Sequence, residues 1–417
     1  ITPLQRNERL SEQYDANVYL KREDLQKVRS FKIRGAFNKI KSLNLESTDD
    51  KRQIICASAG NHAQGVAFSC NKLGIFGTIY MPETTPKQKV ERVKMFGGRF
   101  ISIVLFGDTF DDAQKEAQKQ LNKDSVFIHP FDDKDVIEGQ GTIALEILDQ
   151  IDKHFDYLVI PIGGGGLIAG IIAVFKELSP NTKIIGVEAE GAPAMFDSIK
   201  QKKIIELEKI DNFVDGVSIK KIGMIPFEIC KDYLDDLIIV PEGKICQTIL
   251  ELYNKDGIVV EPAGAIGISA LEIYDKDISN KNIGVLICGG NNDITRMAEI
   301  KEQEQVMFQE AMREAKDKMA IRLKRKEEKE RERQRLKEQK ATERERLKKE
   351  KELERERLRK DKEQRQEESK RAAEEAAKNK AKFQAEVDRM KAQQEEKKRE
   401  EEEKRRETQL RLEAKMK

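Results

Sequence analysis

The chain has 417 residues, with 78 Lys or Arg against 76 Asp or Glu and a formal net charge of +2. All 10 Pro and all 26 Gly lie at or before Gly290, so the last 127 residues contain neither. No apolar run reaches the ~18 residues that a membrane-crossing helix requires, and the near balance of charge argues against a nucleic-acid partner, whose usual footprint is a basic block.

Before Gly290, short apolar runs alternate with amphipathic stretches. In chain order the pattern predicts strands at 18–21, 53–57, 77–81, 100–105, 126–129, 157–162, 183–188, 237–240 and 283–288. Val, Ile, Tyr and Phe dominate these runs, and most of them end at Gly, Pro or Ser. Helical patterns lie between them, at 35–43, 63–73, 87–96, 109–121, 139–151 and 167–178. Strands alternating with helices predict an α/β architecture of parallel sheets with helices on both faces. At about 300 residues, two such layers fit better than one.

From about Glu302 the chain is a different object. Residues 301–417 carry 41 basic and 32 acidic side chains, a net +9, which leaves −7 for residues 1–300. Acid-to-base pairs four apart recur, such as Glu327–Arg331, Glu345–Lys349, Glu356–Lys360, Glu395–Arg399 and Glu402–Arg406. Each contributes a few tenths of a kcal/mol to a helix, and the residue types are good helix formers. The expectation is a long, solvated, mostly single α-helix. A disordered charged tail is one alternative. A coiled coil is another, resting on Ala373, Ala376, Phe383, Val387 and Met390, roughly two heptads.

Cys56, Cys70, Cys230, Cys246 and Cys288 form an odd set without a CxxC pair. They read as reduced, mostly buried thiols of a cytoplasmic protein.

Five segments could carry chemistry. Ser30 precedes an apolar-periodic run and reads as a helix N-cap. Lys32 then falls in the first helical turn beside Phe31, where the positive helix potential disfavours an ammonium and suits an amine that must react. The bland alternative is a surface lysine. Ser58, Ala59, Gly60, Asn61 and His62 follow the 53–57 strand, where free backbone N–H groups at a helix N-terminus can bind a carboxylate or phosphate. An ordinary turn, with a structural His62, is the competing reading. Gly163, Gly164, Gly165 and Gly166, followed by Leu167, join a strand to a helix. Without Cβ atoms this backbone can wrap a phosphate closely. It also fits a loose dinucleotide fingerprint, with Glu188 ending the next strand. Finally, Glu261-Pro262-Ala263-Gly264-Ala265 and Cys288-Gly289-Gly290-Asn291-Asn292-Asp293 are candidate loops, the second after a buried strand. Cys288 is there either a sheet-end ligand or a small hydrophobe.

Taken in order, with Thr2-Pro3-Leu4 and Lys21-Arg22-Glu23-Asp24-Leu25-Gln26, these segments resemble the fold-type II pyridoxal-phosphate enzymes, and among them the biosynthetic threonine dehydratases. The resemblance covers about residues 1–300 and displaces the dinucleotide reading. It implies that Lys32 holds pyridoxal 5'-phosphate through a Schiff base and acts as the catalytic base. Phe31 would pack near the ring, Asn61 would bond the ring hydroxyl, and Gly163 to Leu167 would cradle the phosphate. Cys288 would face the ring nitrogen, and Ser58 to His62 would take the substrate carboxylate. The implied reaction removes water and ammonia from L-threonine, giving 2-oxobutanoate, with L-serine a side substrate. Ala59 stands where related racemases carry a second serine that moves a proton, which favours a dehydratase. A metal site of some relatives maps loosely near Asp211 and Asp215, and no metal is assigned.

The resemblance further implies two open α/β domains: a large one of residues 1–34 and 137–300, and a small one of residues 35–136. A charged helical extension, 301–417, follows. A small-molecule amino acid is the expected substrate, with a homo-oligomer built through the catalytic domain. After Ile300 the family usually continues into a regulatory domain that binds isoleucine or valine. The Gly, Pro and strand patterns of such a domain are missing here, which puts feedback control in question. The rival hypothesis is a fusion or scaffold protein whose helical rod sets function, with the head as passenger.

Overall fold

The computed structural model describes residues 1–44, 53–378, 390–391 and 394–399. The chain divides into two compact units, residues 1–314 and 315–417.

The first unit carries two sheets. The larger is built from β1 (Leu4–Arg6), β2 (Asn17–Arg22), β7 (Tyr157–Pro161), β8 (Lys183–Ala189), β9 (Asp236–Val240) and β10 (Asn282–Ile287), in the order β1-β2-β10-β7-β8-β9. Only the β1–β2 pair is antiparallel. The smaller sheet contains β3 (Gln53–Ala57), β4 (Gly77–Met81), β5 (Ile101–Leu105) and β6 (Ser125–Phe127) in the order β5-β4-β3-β6, all parallel. All five residues of β4 and of β7 are buried, as expected of strands covered on both faces.

Each strand expected from sequence has a counterpart. Several elements were not anticipated: β1 and the helices Glu8–Gln13, Ala194–Gln201, Met224–Tyr233, Glu242–Glu251 and Pro262–Ile273. The helix expected from 139 begins earlier, at Lys134. The Asp133 carboxylate caps it by accepting from the Val136 N–H at 3.1 Å.

One local expectation is corrected. Ser30 is not the N-cap of the helix that carries Lys32. That helix, Lys32–Ser42, is preceded by Phe31 in an α-helical conformation with no side-chain cap. Ser30 forms an antiparallel bridge to Gly289, and the Phe31 N–H donates to the Cys288 carbonyl at 3.1 Å. The start of the helix is thus held by the end of β10 rather than by a hydroxyl. Arg34, also in the first turn, anchors it further by donating to Glu23 at 2.8 Å and to Glu146 at 2.7 Å. Despite desolvation, hydrogen bonds from Arg34 and Lys21 hold the Glu146 carboxyl down at about 2.

Helix Met297–Lys378 runs for 82 residues. Within the first unit its early residues pack on the sheet domain: Ile300 is buried, and Met307 lies against Gly243. Residues 315–370 are exposed throughout, with Glu356 and Lys360 paired at 3.4 Å as their spacing predicts. The apolar pattern weighed as a coiled coil lies outside the described residues, except that Ala373 and Ala376 fall on the helix and Met390 is exposed. No helix among the described residues is long and apolar enough to cross a membrane.

Candidate active site

In the larger sheet β10 lies beside β7, both running the same way. Their carboxyl ends therefore bring Cys288 next to the loop that starts at Gly163, the usual ligand position of an open parallel sheet. The small sheet sends the N-terminus of helix Asn61–Leu73 to the same place from the end of β3. A cleft results, lined by Phe31, Lys32, Asn61, Gly163 to Leu167 and Cys288. These are the residues singled out from sequence for a cofactor. Phe131, Val217 and Glu261 line it too.

Lys32 is partly buried, and its Nζ donates to the Pro130 carbonyl at 2.8 Å while lying 5.2 Å from the Phe31 ring centre. Its pKa falls from 10.5 to about 8, chiefly because burial strips water from the ammonium. Position in the first turn suggested helix potential as the cause, whereas desolvation leads. A substantial share of the amine is therefore neutral near pH 8.

The tetraglycine loop is shaped by close packing. A Cβ on Gly164 would overlap the Phe131 ring, and Gly165 sits at φ 89°, a left-handed backbone that glycine tolerates best. Gly165 also precedes helix Gly166–Leu178 without any side-chain cap. The first-turn N–H groups of that helix are thus available to an anion.

Of residues 58–62, only Asn61 lines the cleft. The Gly60 N–H is turned to Ser58 Oγ at 3.2 Å. His62 is buried behind the helix, its Nε2 2.9 Å from the Ile128 carbonyl, and burial pushes its pKa down to about 3. The ring is neutral at physiological pH. Cys288 donates to the Ala263 carbonyl at 3.2 Å, and burial raises its pKa well above the ordinary thiol value, so the thiol is neutral.

Glu261 was not assigned from sequence. It is 5% exposed, and its Oε1 accepts from Asn61 Nδ2 at 2.7 Å. Burial first, then the nearby Asp215, raises its pKa to about 7. The Glu-Pro step had marked a loop, but nothing in its spacing showed that the carboxylate would face Asn61, 200 positions away in the chain. Asp211 and Asp215, weighed loosely for a metal, bond the Phe213 N–H and Lys89.

A family model described as pyridoxal-phosphate dependent enzyme matches residues 1–289. The chain belongs to that family. It is 56% identical over 303 residues to the biosynthetic L-threonine dehydratase IlvA of Halalkalibacterium halodurans, covering 72% of each chain. Among solved structures it is similar to the processed form of threonine deaminase isoform 2 from Solanum lycopersicum, with a TM-score of 0.67 and 41% identity over 72% of this chain and 87% of that one. It is also similar to maize serine racemase, with a TM-score of 0.65 and 31% identity over 75% of this chain and 93% of that one. Family membership of the head favours the enzyme over the passenger hypothesis. The residues present also fit the cofactor: a desolvated amine, an aromatic ring, a neutral thiol, and a glycine bend, closed to side chains, at a bare helix N-terminus.

Proposed function

We propose that this enzyme is an L-threonine dehydratase that converts L-threonine to 2-oxobutanoate and ammonia, with L-serine a lesser substrate. The observation that carries this reading is that Lys32 and the Gly163–Leu167 bend line one cleft. In it, Lys32 would hold pyridoxal 5'-phosphate covalently, Gly163 to Leu167 its phosphate, Asn61 its ring hydroxyl, Phe31 a ring face and Cys288 its ring nitrogen. When bound, the cofactor supplies a carbonyl that binds the substrate amine and a ring that acidifies the Cα–H bond.

This chain's residues then do the following. At the start of helix Asn61–Leu73, backbone N–H groups of the 58–62 segment would hold the substrate carboxylate, those of Ser58 and Gly60 being already taken by the Tyr80 carbonyl and Ser58 Oγ. The Lys32 amine, with its pKa near 8, accepts the Cα proton. Cys288 stays a neutral thiol and does not protonate the ring nitrogen as a carboxylic acid would. That limits charge storage in the ring and favours prompt loss of the β-hydroxyl as water. The released enamine takes up water and gives the oxo acid and ammonia. Ala59 has no group to deliver a proton from the opposite face, which supports elimination over racemisation.

The reading includes two α/β domains, residues 1–34 with 137–300 and residues 35–136, supported by the two separate sheets. It also includes a homo-oligomer built through the head and a cytoplasmic setting, the latter supported by five free, buried thiols. The test is turnover of L-threonine and L-serine by the purified protein, with and without isoleucine. Lys32→Ala should abolish both turnover and the visible absorbance band of bound cofactor. Undiminished turnover in that variant would end the assignment.

A further inference from the structure

Four polar side chains run in a line from the surface of helix Lys87–Gly97 into the cleft. Arg92 Nη1 donates to Asn291 Oδ1 at 2.8 Å, Asn291 Nδ2 donates to Asn61 Oδ1 at 2.7 Å, and Asn61 Nδ2 donates to Glu261 Oε1 at 2.7 Å. The two ends are one-handed. A guanidinium can only donate, and an ionised carboxylate can only accept. Both amides between them are therefore forced into one orientation. The Asn291 amide nitrogen has a second acceptor, the Val28 carbonyl at 2.9 Å, which fixes it again. With its oxygen facing Asn291, Asn61 has its second N–H free for the cleft.

We propose that Glu261 and Arg92 are positioning residues that polarise this chain of amides, so that Asn61 presents an N–H, and not a carbonyl oxygen, to the ring hydroxyl of the bound cofactor. This inference rests on the reading that Asn61 contacts the cofactor. It explains why a carboxylate is retained in a buried place where desolvation is costly. It also couples the site to the small-sheet helix Lys87–Gly97, which reaches across a second time where Lys89 meets Asp215 at 2.9 Å.

The lock at the Glu261 end depends on ionisation, because a protonated carboxyl can donate as well as accept. The groups that face Glu261 are Asp215, Lys89, Lys32, Cys288, the Asn61 amide and the backbone N–H of Asn291. With its pKa raised to about 7, Glu261 is ionised above neutrality and loses the lock as pH falls.

The experiment is equilibrium binding of pyridoxal 5'-phosphate to the cofactor-stripped full-length protein, read by visible absorbance from pH 6 to 8.5, with melting temperatures of the stripped proteins alongside. Glu261→Gln, which keeps shape without charge, should weaken binding about tenfold at pH 8. It should also shrink the wild-type loss of affinity toward pH 6 to the part that protonation of the Lys32 amine produces. Arg92→Leu, at the outer end, should weaken binding in the same direction by about threefold with an unchanged melting temperature. Glu261→Gln with wild-type affinity and an intact pH profile would overturn the proposal. If Glu261→Gln does not fold, Arg92→Leu decides alone, and unchanged affinity there overturns it. Asn61→Ala separates the two levels. Undiminished affinity in that variant removes the reading that Asn61 holds the cofactor, whereas weakened affinity with a silent Glu261→Gln removes only the positioning chain.

Discussion

Lys32 illustrates how function is set against stability at a single side chain. Its amine is useful because burial lowers the pKa to about 8, and the same burial makes the charged form costly in the folded state. Between about 8 and 10.5 the unfolded chain binds more protons at this position than the folded one. Stability of the cofactor-free protein should therefore rise with pH across that window, and the penalty should be fully present below it. Its size is on the order of 3 kcal/mol. Lys32→Met should remove this slope and make the cofactor-free protein more stable at neutral pH. Urea denaturation at pH 7 and pH 10 checks it: the gap between wild type and variant should narrow at the higher pH. A gap independent of pH would mean that Lys32 is solvated.

At the scale of elements, the crossing of helices Lys134–Gln150 and Gly166–Leu178 decides where the tetraglycine loop ends. A Cβ on Gly170 would overlap the Ile137 carbonyl and lie 2.7 Å from the Gly141 N–H, so the two backbones touch. Gly170→Ala should cost about 1–3 kcal/mol by urea denaturation. It should also weaken cofactor binding more than it slows turnover at saturating cofactor, because the helix carries the phosphate-binding end of the cleft. Equal stability would show that the helices can part freely. Much of this layer was legible in sequence: β-branched runs ending at Gly or Pro marked the buried strands, and the motifs around Lys32, Asn61, Gly163 and Cys288 fell into one cleft. What escaped had no local signal. β1 is only three residues long and exists through its pairing with β2. The expected helix began at Gly139 and so missed residues 134–138, whereas Gly139 and Gly141 lie well inside it and serve helix contacts. Ser30 read as a cap because its neighbours are helical, yet Gly289, distant in sequence, claims it. Glu261 gained its role by burial against Asn61, which no spacing encodes.

For the whole molecule, the change in composition near residue 300 and the change in packing do not coincide. Ile300 is fully buried and Met307 packs against Gly243, while the compact first unit ends at Glu314. A chain cut after Glu314 should keep L-threonine turnover within about twofold of the full protein. A chain cut after Ile300 keeps that side chain but loses the half-buried Met307 and its contact with Gly243, so it should melt a few degrees lower at most, less than the loss of a fully buried side chain (about 1.5–3 kcal/mol) would cause. Turnover and melting temperature of the two truncations check this, and collapse of the longer one would make the charged segment part of the enzyme. A final consequence concerns the sulfur atoms. All five cysteines are free and buried, with Cys56 and Cys70 in and beside the small sheet and Cys230, Cys246 and Cys288 around the large one. An alkylating reagent in water meets none of the four outside the cleft while the head stays shut. The order in which they become modified therefore records which half breathes first, with no label added to the chain.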